Sequence, residues 1–528
     1  MTENIIEQVK SGYAFDGPVI EIGALLSADG GSPTAVPEAK VRIPVGMFNR
    51  HGLVAGATGT GKTKTLQVLA EQLSAQGVPV FLADIKGDLS GMAAPGETND
   101  KLTARAQEIG QDWKPTGYGA EFYALGGKGK GVPIRATITS FGPTLLSKVL
   151  GLNEVQESSL GLVFHFADTN GLPLLDLKDL RAVIQYLISD EGKGDLESLG
   201  GLAKQTGGVL LRELVSFANT GADAFFGEPE FDTADLLRVG SDGRGVVSIL
   251  ELPGVQESPA LFSTFLMWLV ADLFHDLPEV GDVDKPKLVF FLDEAHLVFK
   301  DASKAFLDAI TQTVRLIRSK GVGLFFVTQT PKDVPGDVLA QLGNRVQHAL
   351  RAYTPDDAKA LKATVSTFPH SSYDLEELLT TMGIGEAVVT VLSDRGVPTP
   401  VAWTKLRAPV SLMGPLEASA LDAAVAGSPM LSKYAEPLDR ESAYEKLSAK
   451  VQAGGAQAPA GSAAGGETPA GGAAKPPAKA EPKAKPSKDE DSMLGKVLKS
   501  PAAKSFARSA ASAAGRAIMR SVFGTARR

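Results

Sequence analysis

The chain has 528 residues, which predicts two or three structural units, and its 43% hydrophobic content is enough for a large core. No apolar run approaches the length of a membrane-spanning helix, and the first twenty residues lack a signal-peptide pattern. The absence of cysteine excludes disulfides and thiolate metal sites and fits a cytoplasmic protein, while six scattered histidines argue against a histidine metal cluster.

The formal net charge of −8 is unevenly distributed along the chain. Residues 493–528 carry eight Lys and Arg and no acid, residues 453–492 carry five charges of each sign, and the first 452 residues therefore carry −16. An acidic body is not typical of a protein that binds nucleic acid on its outer surface. Contact with nucleic acid is therefore expected only locally, in a channel or through the tail.

The N-terminal part of the chain leads into a glycine-rich loop. Short strand-like pieces occur at residues 18–23 and 39–44, and a buried strand end at 53–55 precedes the loop. An amphipathic helix pattern at 65–73 follows it. The loop has the complete pattern G-x-x-x-x-G-K-S/T and consists of Gly56, Ala57, Thr58, Gly59, Thr60, Gly61, Lys62 and Thr63.

A loop of this sequence between a strand and a helix is typical of a phosphate loop, the Walker A motif. Its glycines let backbone N–H groups wrap around the phosphates, and the helix N-terminus favours their negative charge. We expect Lys62 to reach the β- and γ-phosphates and the Thr63 hydroxyl to hold Mg²⁺. The sequence therefore predicts a site for a nucleoside triphosphate.

Strand and helix patterns alternate along the rest of the chain. A buried strand at 78–84 completes a βαβ unit, and residues 143–237 are largely helical, most clearly over 174–187. The later strand patterns lie at 245–252, 287–293, 324–328, 345–352 and 386–392, and the helix patterns at 260–274 and 305–319. Continuous apolar strands between helices predict an α/β fold with a mostly parallel sheet covered on both faces and a helical insertion.

Asp293 ends the strand predicted at 287–293, and a second carboxylate, Glu294, follows it directly. This is typical of a Walker B motif, in which Asp293 holds Mg²⁺ and Glu294 polarises the attacking water as general base. The alternative is a buried strand that simply turns at the surface. Gln329 ends the next strand, 35 residues after Glu294, and is expected beside the γ-phosphate. The alternative is that it is simply a polar residue at the end of a strand.

Further candidate site residues are expected near the same carboxyl ends of the strands. Asp84 ends the strand at 78–84, with Lys86 and Asp88 close behind, and a turn-capping role is as good an explanation for it. Phosphoryl transfer also needs an arginine to neutralise developing charge. Periodicity does not choose among the candidates Arg315, Arg318, Arg345, Arg351 and Arg395.

The string Asp293-Glu294-Ala295-His296 suggests a DEAH-box helicase as one alternative. Its spacing argues against that family, because Lys62 and Asp293 are 231 residues apart. Only about 120 residues separate Thr330 from the low-complexity segment, which leaves little room for a second RecA-like domain. No Gln-Arg-x-Gly-Arg string is present to supply the arginines of such an enzyme.

Residues 49–63, 292–296 and 315–329 resemble the HerA/FtsK group of P-loop motor ATPases, specifically bacterial proteins similar to the C-terminal helicase-like domain of HerA. The resemblance covers roughly residues 10–410. It implies a RecA-like ATPase fold with a helical insertion, and hexameric rings with ATP between subunits. Only about 55 residues precede the phosphate loop, which leaves little room for the N-terminal β-barrel of HerA.

The resemblance also implies the roles of individual residues. Lys62 and Thr63 would bind phosphate and Mg²⁺, and Asp293 and Glu294 would form the Walker B pair. Gln329 would sense the γ-phosphate. Arg318, eleven residues before Gln329, would be supplied to the site of a neighbouring subunit.

These patterns together predict a division of the chain. The ranges are a short N-terminal β extension (1–48), the first part of the RecA-like core (49–142), a helical insertion (143–240), the second part of the core (241–410), a C-terminal helical extension (411–452), a disordered linker (453–492) and a basic tail (493–528).

The expected function is that of an ATP-hydrolysing motor, a homo-oligomeric ring that translocates or remodels double-stranded DNA. An ATPase that acts on a protein partner, and a nucleotide-gated scaffold with little turnover, remain as alternatives. The basic tail could contact nucleic acid, an anionic membrane or a protein partner, or it could be a solubilising tail.

Overall fold

The computed structural model describes residues 2–28, 31–219, 221–252, 259–281, 283–299 and 304–455. The basic tail 493–528 lies outside these residues. The expected disordered linker 453–492 also lies outside them, except for residues 453–455, which end a helix.

One twelve-stranded sheet runs through the described part of the chain. Its strands are β1 (Val19–Ser27), β2 (Thr34–Pro44), β3 (Gly52–Ala55), β4 (Val80–Asp84), β5 (Ala120–Leu125), β6 (Val132–Ile134), β7 (Val247–Glu251), β8 (Leu288–Leu292), β9 (Val322–Thr328), β10 (Asn344–His348), β11 (Glu386–Thr390) and β12 (Ala402–Leu406).

The order of the strands across the sheet is β2-β1-β12-β11-β10-β3-β9-β8-β4-β7-β5-β6. The seven pairings from β10 to β6 are parallel, and the four from β2 to β10 are antiparallel. The predicted α/β fold with a mostly parallel sheet is thereby confirmed. The antiparallel strands at one edge join the N-terminal residues to the C-terminal end of the same sheet.

Helices cover this sheet and fill the connections. They are α1 (Thr2–Gly12), α2 (Lys62–Ala75), α3 (Asp100–Glu108), α4 (Ile138–Val149), α5 (Glu154–Thr169), α6 (Leu177–Leu187), α7 (Lys204–Asn219), α8 (Pro259–Asp276), α9 (His296–Phe299), α10 (Lys304–Ile317), α11 (Gly336–Leu339), α12 (Pro355–Val365), α13 (Leu375–Thr381), α14 (Ala418–Ala426), α15 (Leu431–Tyr434) and α16 (Ala443–Gly455).

The two faces of the sheet are buried in separate cores, because successive side chains of a strand point to opposite faces. Phe290 and Phe326 belong to the core formed with α4 to α8 and α10, and Phe290 packs on Phe81 with ring centroids 5.0 Å apart. Phe291 and Phe325 belong to the core that includes α1 and α2, with their ring centroids 5.3 Å apart. Burial on both faces explains the continuous apolar runs in these strands.

A block of four helices, α4 to α7, lies between β6 and β7, where the sequence predicts a helical insertion. The helix predicted over 174–187 begins at Leu177, because the side chains of Asp176 and Asp179 each accept from the backbone N–H of the other and form a capping box. C-terminal helix α16 packs against α6, with Lys178 Nζ 3.0 Å from Glu445 Oε1. The C-terminal helix therefore covers the inserted block.

Some elements were not predicted. Helix α1 and strands β5, β6 and β12 carried no strand or helix assignment from the sequence, although all four belong to the folded body. Among the helices of the described residues, none combines the length and the apolar character needed to cross a membrane.

Candidate active site

The predicted site residues meet at one edge of the parallel part of the sheet. Strands β3, β9, β8, β4 and β7 are neighbours and run in the same direction, so their carboxyl ends share this edge. The phosphate loop follows β3, Gln329 follows β9, and Asp293 and Glu294 follow β8. Ligands of open α/β sheets bind at this carboxyl edge.

The backbone of the phosphate loop requires glycine at several positions. Gly56, Gly59 and Gly61 have φ angles of 154°, 80° and 112°, in a region that side chains with a Cβ rarely adopt. A Cβ on Gly56 would also lie only 2.4 Å from the Cβ of His348. The loop turns directly into α2, whose first residue is Lys62, so the N-terminus of that helix faces the loop as the sequence predicted.

Neighbouring strands hold the loop in place. The N–H of Gly56 donates to the carbonyl of Thr328, and the N–H of Ala57 donates to the carbonyl of Ala349, at 3.2 and 2.8 Å. Inside the loop, the Thr60 hydroxyl donates to the Ala57 carbonyl at 2.7 Å. Thr58 lies at the exposed tip of the loop, where a phosphate can approach.

Lys62 is nearly buried beneath this loop. Its ammonium donates to the carbonyls of Gly56 and Ala57 at 2.7 and 3.1 Å. Burial lowers the pKa of Lys62, while the negative charges of Asp293 and Glu294 act in the opposite direction. The two predicted halves of the site are therefore close enough to interact electrostatically.

Asp293 and Glu294 emerge from β8, a strand whose five residues are all buried. Burial raises the pKa of Asp293 to about 6, although the nearby lysines Lys86 and Lys62 favour its charged form. Its Oδ1 accepts the N–H of Glu294 at 2.8 Å. Glu294 has a φ of 48°, which is uncommon for a residue other than glycine and is typical of functional sites.

Lys86 joins the Walker B pair and was not assigned a role from the sequence. Its Nζ lies 3.1 Å from Glu294 Oε1 and 4.0 Å from Asp293 Oδ2. The second carboxylate oxygen of Glu294 lies 3.3 Å from Nδ1 of His296. Burial alone would lower the pKa of Lys86, but the two carboxylates raise it above its usual value. The sequence did offer one indication of this role, because Lys86 closely follows a buried strand and such residues lie at the edge of the sheet where the site is expected.

Gln329 follows β9, the strand next to the phosphate-loop strand, and its side chain is exposed. The turn that carries it is fixed by Asp333, whose Oδ2 accepts the Thr328 hydroxyl at 2.7 Å and the N–H of Thr330 at 3.2 Å. The side chain of Gln329 is therefore accessible at the edge where the phosphate loop lies.

The arginine candidates lie in different places. Arg318 forms part of the short turn Arg318–Lys320 immediately before β9, at the amino edge of the sheet and thus opposite the phosphate loop. Arg351 follows β10 on the same edge as the loop, two residues after Ala349. The guanidinium of Arg345 donates to the carbonyl and hydroxyl oxygens of Thr367. Arg318 is therefore remote from the phosphate loop of its own chain.

A further acidic residue on this edge, Glu251, was missed by the sequence analysis. It ends β7 in register with Asp84 at the end of β4. Burial raises the pKa of Glu251 to about 7, and the charge of Asp84 adds to the shift. Its Oε1 is buried and has no hydrogen-bond partner among the described residues. Only the pairing of β4 with β7 brings these two acids together.

The donor set at the edge fits Mg²⁺ rather than a metal held by protein ligands alone. No group of three or more His, Cys, Asp or Glu side chains suited to a metal occurs in the described ranges. The Thr63 hydroxyl at the start of α2 and the Asp293 carboxylate are both oxygen donors. Mg²⁺ is commonly bound by one or two such groups together with substrate phosphates and water.

Comparison with solved structures finds the plasmid coupling protein TrwB in complex with a non-hydrolysable ATP analogue, ADPNP. The TM-score is 0.49 at 17% sequence identity, and the match covers 76% of this chain and 98% of the TrwB chain in that structure.

Two curated relatives are each named DNA double-strand break repair helicase HerA. The protein from Saccharolobus solfataricus is 24% identical over 400 residues, covering 72% of this chain and 68% of the relative. The protein from Sulfurisphaera tokodaii is 22% identical over 382 residues, covering 71% and 67%. The family model described as "Helicase HerA-like C-terminal" matches residues 32–528. The chain therefore belongs to the HerA-like P-loop ATPase family.

Proposed function

We propose that this protein is an ATP-hydrolysing motor that works as a homo-oligomeric ring on double-stranded DNA. The observation that carries the proposal is the alignment of Lys62, Asp293, Glu294 and Gln329 along one edge of the sheet. The curated relatives are named as DNA double-strand break repair helicases, which supports DNA as the substrate.

Each of these residues has a place in the proposed hydrolysis of ATP. The loop N–H groups and Lys62 bind and orient the phosphates, and Glu294 accepts the proton of the attacking water. Gln329 orients that water near the γ-phosphate. Mg²⁺, held by Thr63 and Asp293, would neutralise charge on the phosphate oxygens.

The fold gives no support to a DEAH-box arrangement. Strands β10, β11 and β12 extend the sheet that already contains the phosphate loop. Within the described residues, no second RecA-like sheet follows Gln329, although a two-domain helicase would need one. The single sheet favours a motor that completes its site with another subunit.

Arg318 is the proposed contribution of that second subunit. Its position at the amino edge of β9 separates it from the loop of its own chain by the length of a seven-residue strand. A strand of that length spans roughly 23 Å. An arginine that far from its own phosphate loop would act on the nucleotide bound by a neighbouring subunit. Mixing two variants that are each inactive tests this assignment.

Lys62→Ala subunits lack a working loop but keep Arg318, whereas Arg318→Ala subunits keep the loop. We expect the mixture to recover ATPase activity that neither variant has alone. A matched Arg351→Ala variant mixed with Lys62→Ala shows whether the arginine on the loop's own edge behaves differently. Failure of Arg318→Ala to complement Lys62→Ala in mixed rings would overturn the assignment.

The proposal as a whole is tested by ATPase assays on the wild type, Lys62→Ala and Glu294→Gln, with and without double-stranded DNA. We expect hydrolysis stimulated by DNA in the wild type, loss of nucleotide binding in Lys62→Ala, and binding without turnover in Glu294→Gln. Hydrolysis that is the same with and without double-stranded DNA would favour a protein partner instead. No hydrolysis by the wild type would favour a nucleotide-gated scaffold.

A further inference from the structure

We propose that Lys86 is a positioning residue that orients the carboxylate of Glu294 for attack of water on the nucleotide. This inference rests on the proposed ATPase function. It concerns a residue outside the Walker A and Walker B motifs, contributed by the loop after β4.

The two carboxylate oxygens of Glu294 have different surroundings. Lys86 Nζ lies 3.1 Å from Oε1. His296 Nδ1 lies 3.3 Å from Oε2, but Oε2 is buried and has no hydrogen-bond partner among the described residues. The side chain of Glu294 is only 14% exposed, so water competes weakly for these oxygens. The contact of Lys86 with Oε1 therefore orients the carboxylate, and a general base needs a defined orientation before it can accept a proton from a positioned water.

Lys86 is itself held in place by Asp84. The Asp84 carboxylate accepts three backbone N–H groups, those of Lys86, Gly87 and Leu89, at 3.2, 2.7 and 2.8 Å. These bonds tie the loop to the end of β4, which pairs in parallel with β8, the strand that precedes Asp293. The position of the Lys86 backbone relative to Glu294 is therefore determined by sheet pairing.

Lys62, the lysine of the phosphate loop, has other partners. The ammonium of Lys62 donates to two loop carbonyls, whereas Lys86 lies within 4.0 Å of both Asp293 and Glu294. Without Lys86, the two adjacent carboxylates would repel each other and Glu294 would lose the contact to Oε1. The expected consequence is slower hydrolysis at nearly unchanged nucleotide affinity.

The test compares Lys86→Met with Lys86→Arg and with Lys130→Met as a matched control. Lys130 is also 48% exposed at its side chain and is paired with one carboxylate, that of Asp422, at 2.9 Å. We expect Lys86→Met to lower kcat by about 10- to 100-fold, the effect of a misplaced catalytic group. The affinity for a fluorescent ATP analogue should stay nearly unchanged, because a positioning residue affects kcat whereas loss of uniform binding would weaken affinity at unchanged kcat.

Lys86→Arg should recover part of the lost kcat, because it keeps the positive charge, and Lys130→Met should match the wild type. Thermal melts check that each variant is folded. A Lys86→Met enzyme that hydrolyses ATP as fast as the wild type, or that loses affinity in step with kcat, overturns the inference. An inactive wild type would instead overturn the proposed function itself, so the two failures are distinguishable.

Discussion

Nε2 of His348 lies 2.9 Å from the hydroxyl oxygen of Thr65. This contact joins the end of β10 to the first turn of α2. The other ring nitrogen, Nδ1, lies 3.1 Å from the carbonyl oxygen of Thr60. Because a carbonyl only accepts, Nδ1 must carry the proton, and Nε2 accepts from Thr65. Burial lowers the pKa of His348 to about 4, so the ring is neutral at physiological pH.

His348→Ala should therefore weaken nucleotide binding, although it removes no residue that is expected to contact the phosphates directly. It removes two hydrogen bonds that shape the loop, each worth about 0.5–1.5 kcal/mol. If the whole loss of about 1–3 kcal/mol appears in nucleotide binding, Kd rises about 5- to 150-fold. The measurement is titration with a fluorescent ATP analogue. His370→Ala is the control, since His370 is exposed. Unchanged affinity in His348→Ala would show that the loop keeps its shape without the ring.

Gly56 and Gly59 offer a matched pair in the same loop. Both have positive φ, but a Cβ would lie 2.4 Å from the Cβ of His348 at Gly56 and would meet nothing within 4 Å at Gly59. Gly59→Ala should cost only backbone strain of about 1–2 kcal/mol. Gly56→Ala should lower the free energy of unfolding by clearly more than Gly59→Ala does. Either the backbone of the phosphate loop or strand β10 must shift to relieve the clash with His348.

Urea denaturation of the two variants without nucleotide measures that difference. Nucleotide is omitted because binding would add its own stabilisation. Equal losses in Gly56→Ala and Gly59→Ala would mean that the contact with His348 imposes no constraint beyond the backbone conformation.

The site was predictable from sequence where its chemistry is local. The phosphate loop and the Asp293–Glu294 pair each sit in one short segment whose flanking apolar residues mark a strand. Lys86, Glu251 and His348 were not assigned roles, because each reaches the site through sheet neighbours distant in sequence. Strand order is a tertiary property, and hydrophobic periodicity carries little information about it.

The missed elements have the same kind of explanation. Strands β5 and β6 stand among glycines and prolines, which hide short strands from periodicity. Strand β12 alternates buried and half-buried residues and includes the polar Lys405, so it lacks the apolar run of the central strands. Its pairing with β1 places Gly23 opposite Leu406, residues almost 400 positions apart in the chain, although its other neighbour β11 lies just before it in the sequence.

Glu251→Gln should stabilise the protein at high pH. Burial raises the pKa of Glu251 from its ordinary 4.5 to about 7, so the folded state favours the neutral form. The stability that this preference contributes is fully present below pH 4.5 and is lost as the pH rises through about 7. Gln mimics the neutral acid at every pH, and the variant should therefore gain most over the wild type above pH 7.

Thermal melts at pH 5.5 and 8.5 measure this, with Glu279→Gln as the control because Glu279 is exposed. We expect the Tm of Glu251→Gln to exceed that of the wild type by a few degrees at pH 8.5 and by less at pH 5.5. A difference in Tm that does not change with pH would contradict the raised pKa.

His51 should make the protein sensitive to acid. Its Nδ1 accepts the N–H of Leu324 at 3.1 Å and its Nε2 donates to the carbonyl of Val314 at 2.7 Å, so a second proton would have to face an N–H group. Burial lowers the pKa of His51 from 6.5 to about 4. The stability linked to the neutral ring is present above pH 6.5 and is lost as the pH falls towards 4.

Between pH 7 and pH 5 this linkage should remove about 2 kcal/mol from the free energy of unfolding. His51→Gln should be less stable than the wild type at pH 7, because Gln cannot reproduce both hydrogen bonds, yet it should lose less stability on going to pH 5. Urea denaturation at the two pH values measures both quantities, with His370→Gln as the exposed control. The loss of unfolding free energy between pH 7 and pH 5 could instead be the same in His51→Gln and the wild type. In that case the acid sensitivity arises from other groups, and His348, which is equally buried, should be substituted next.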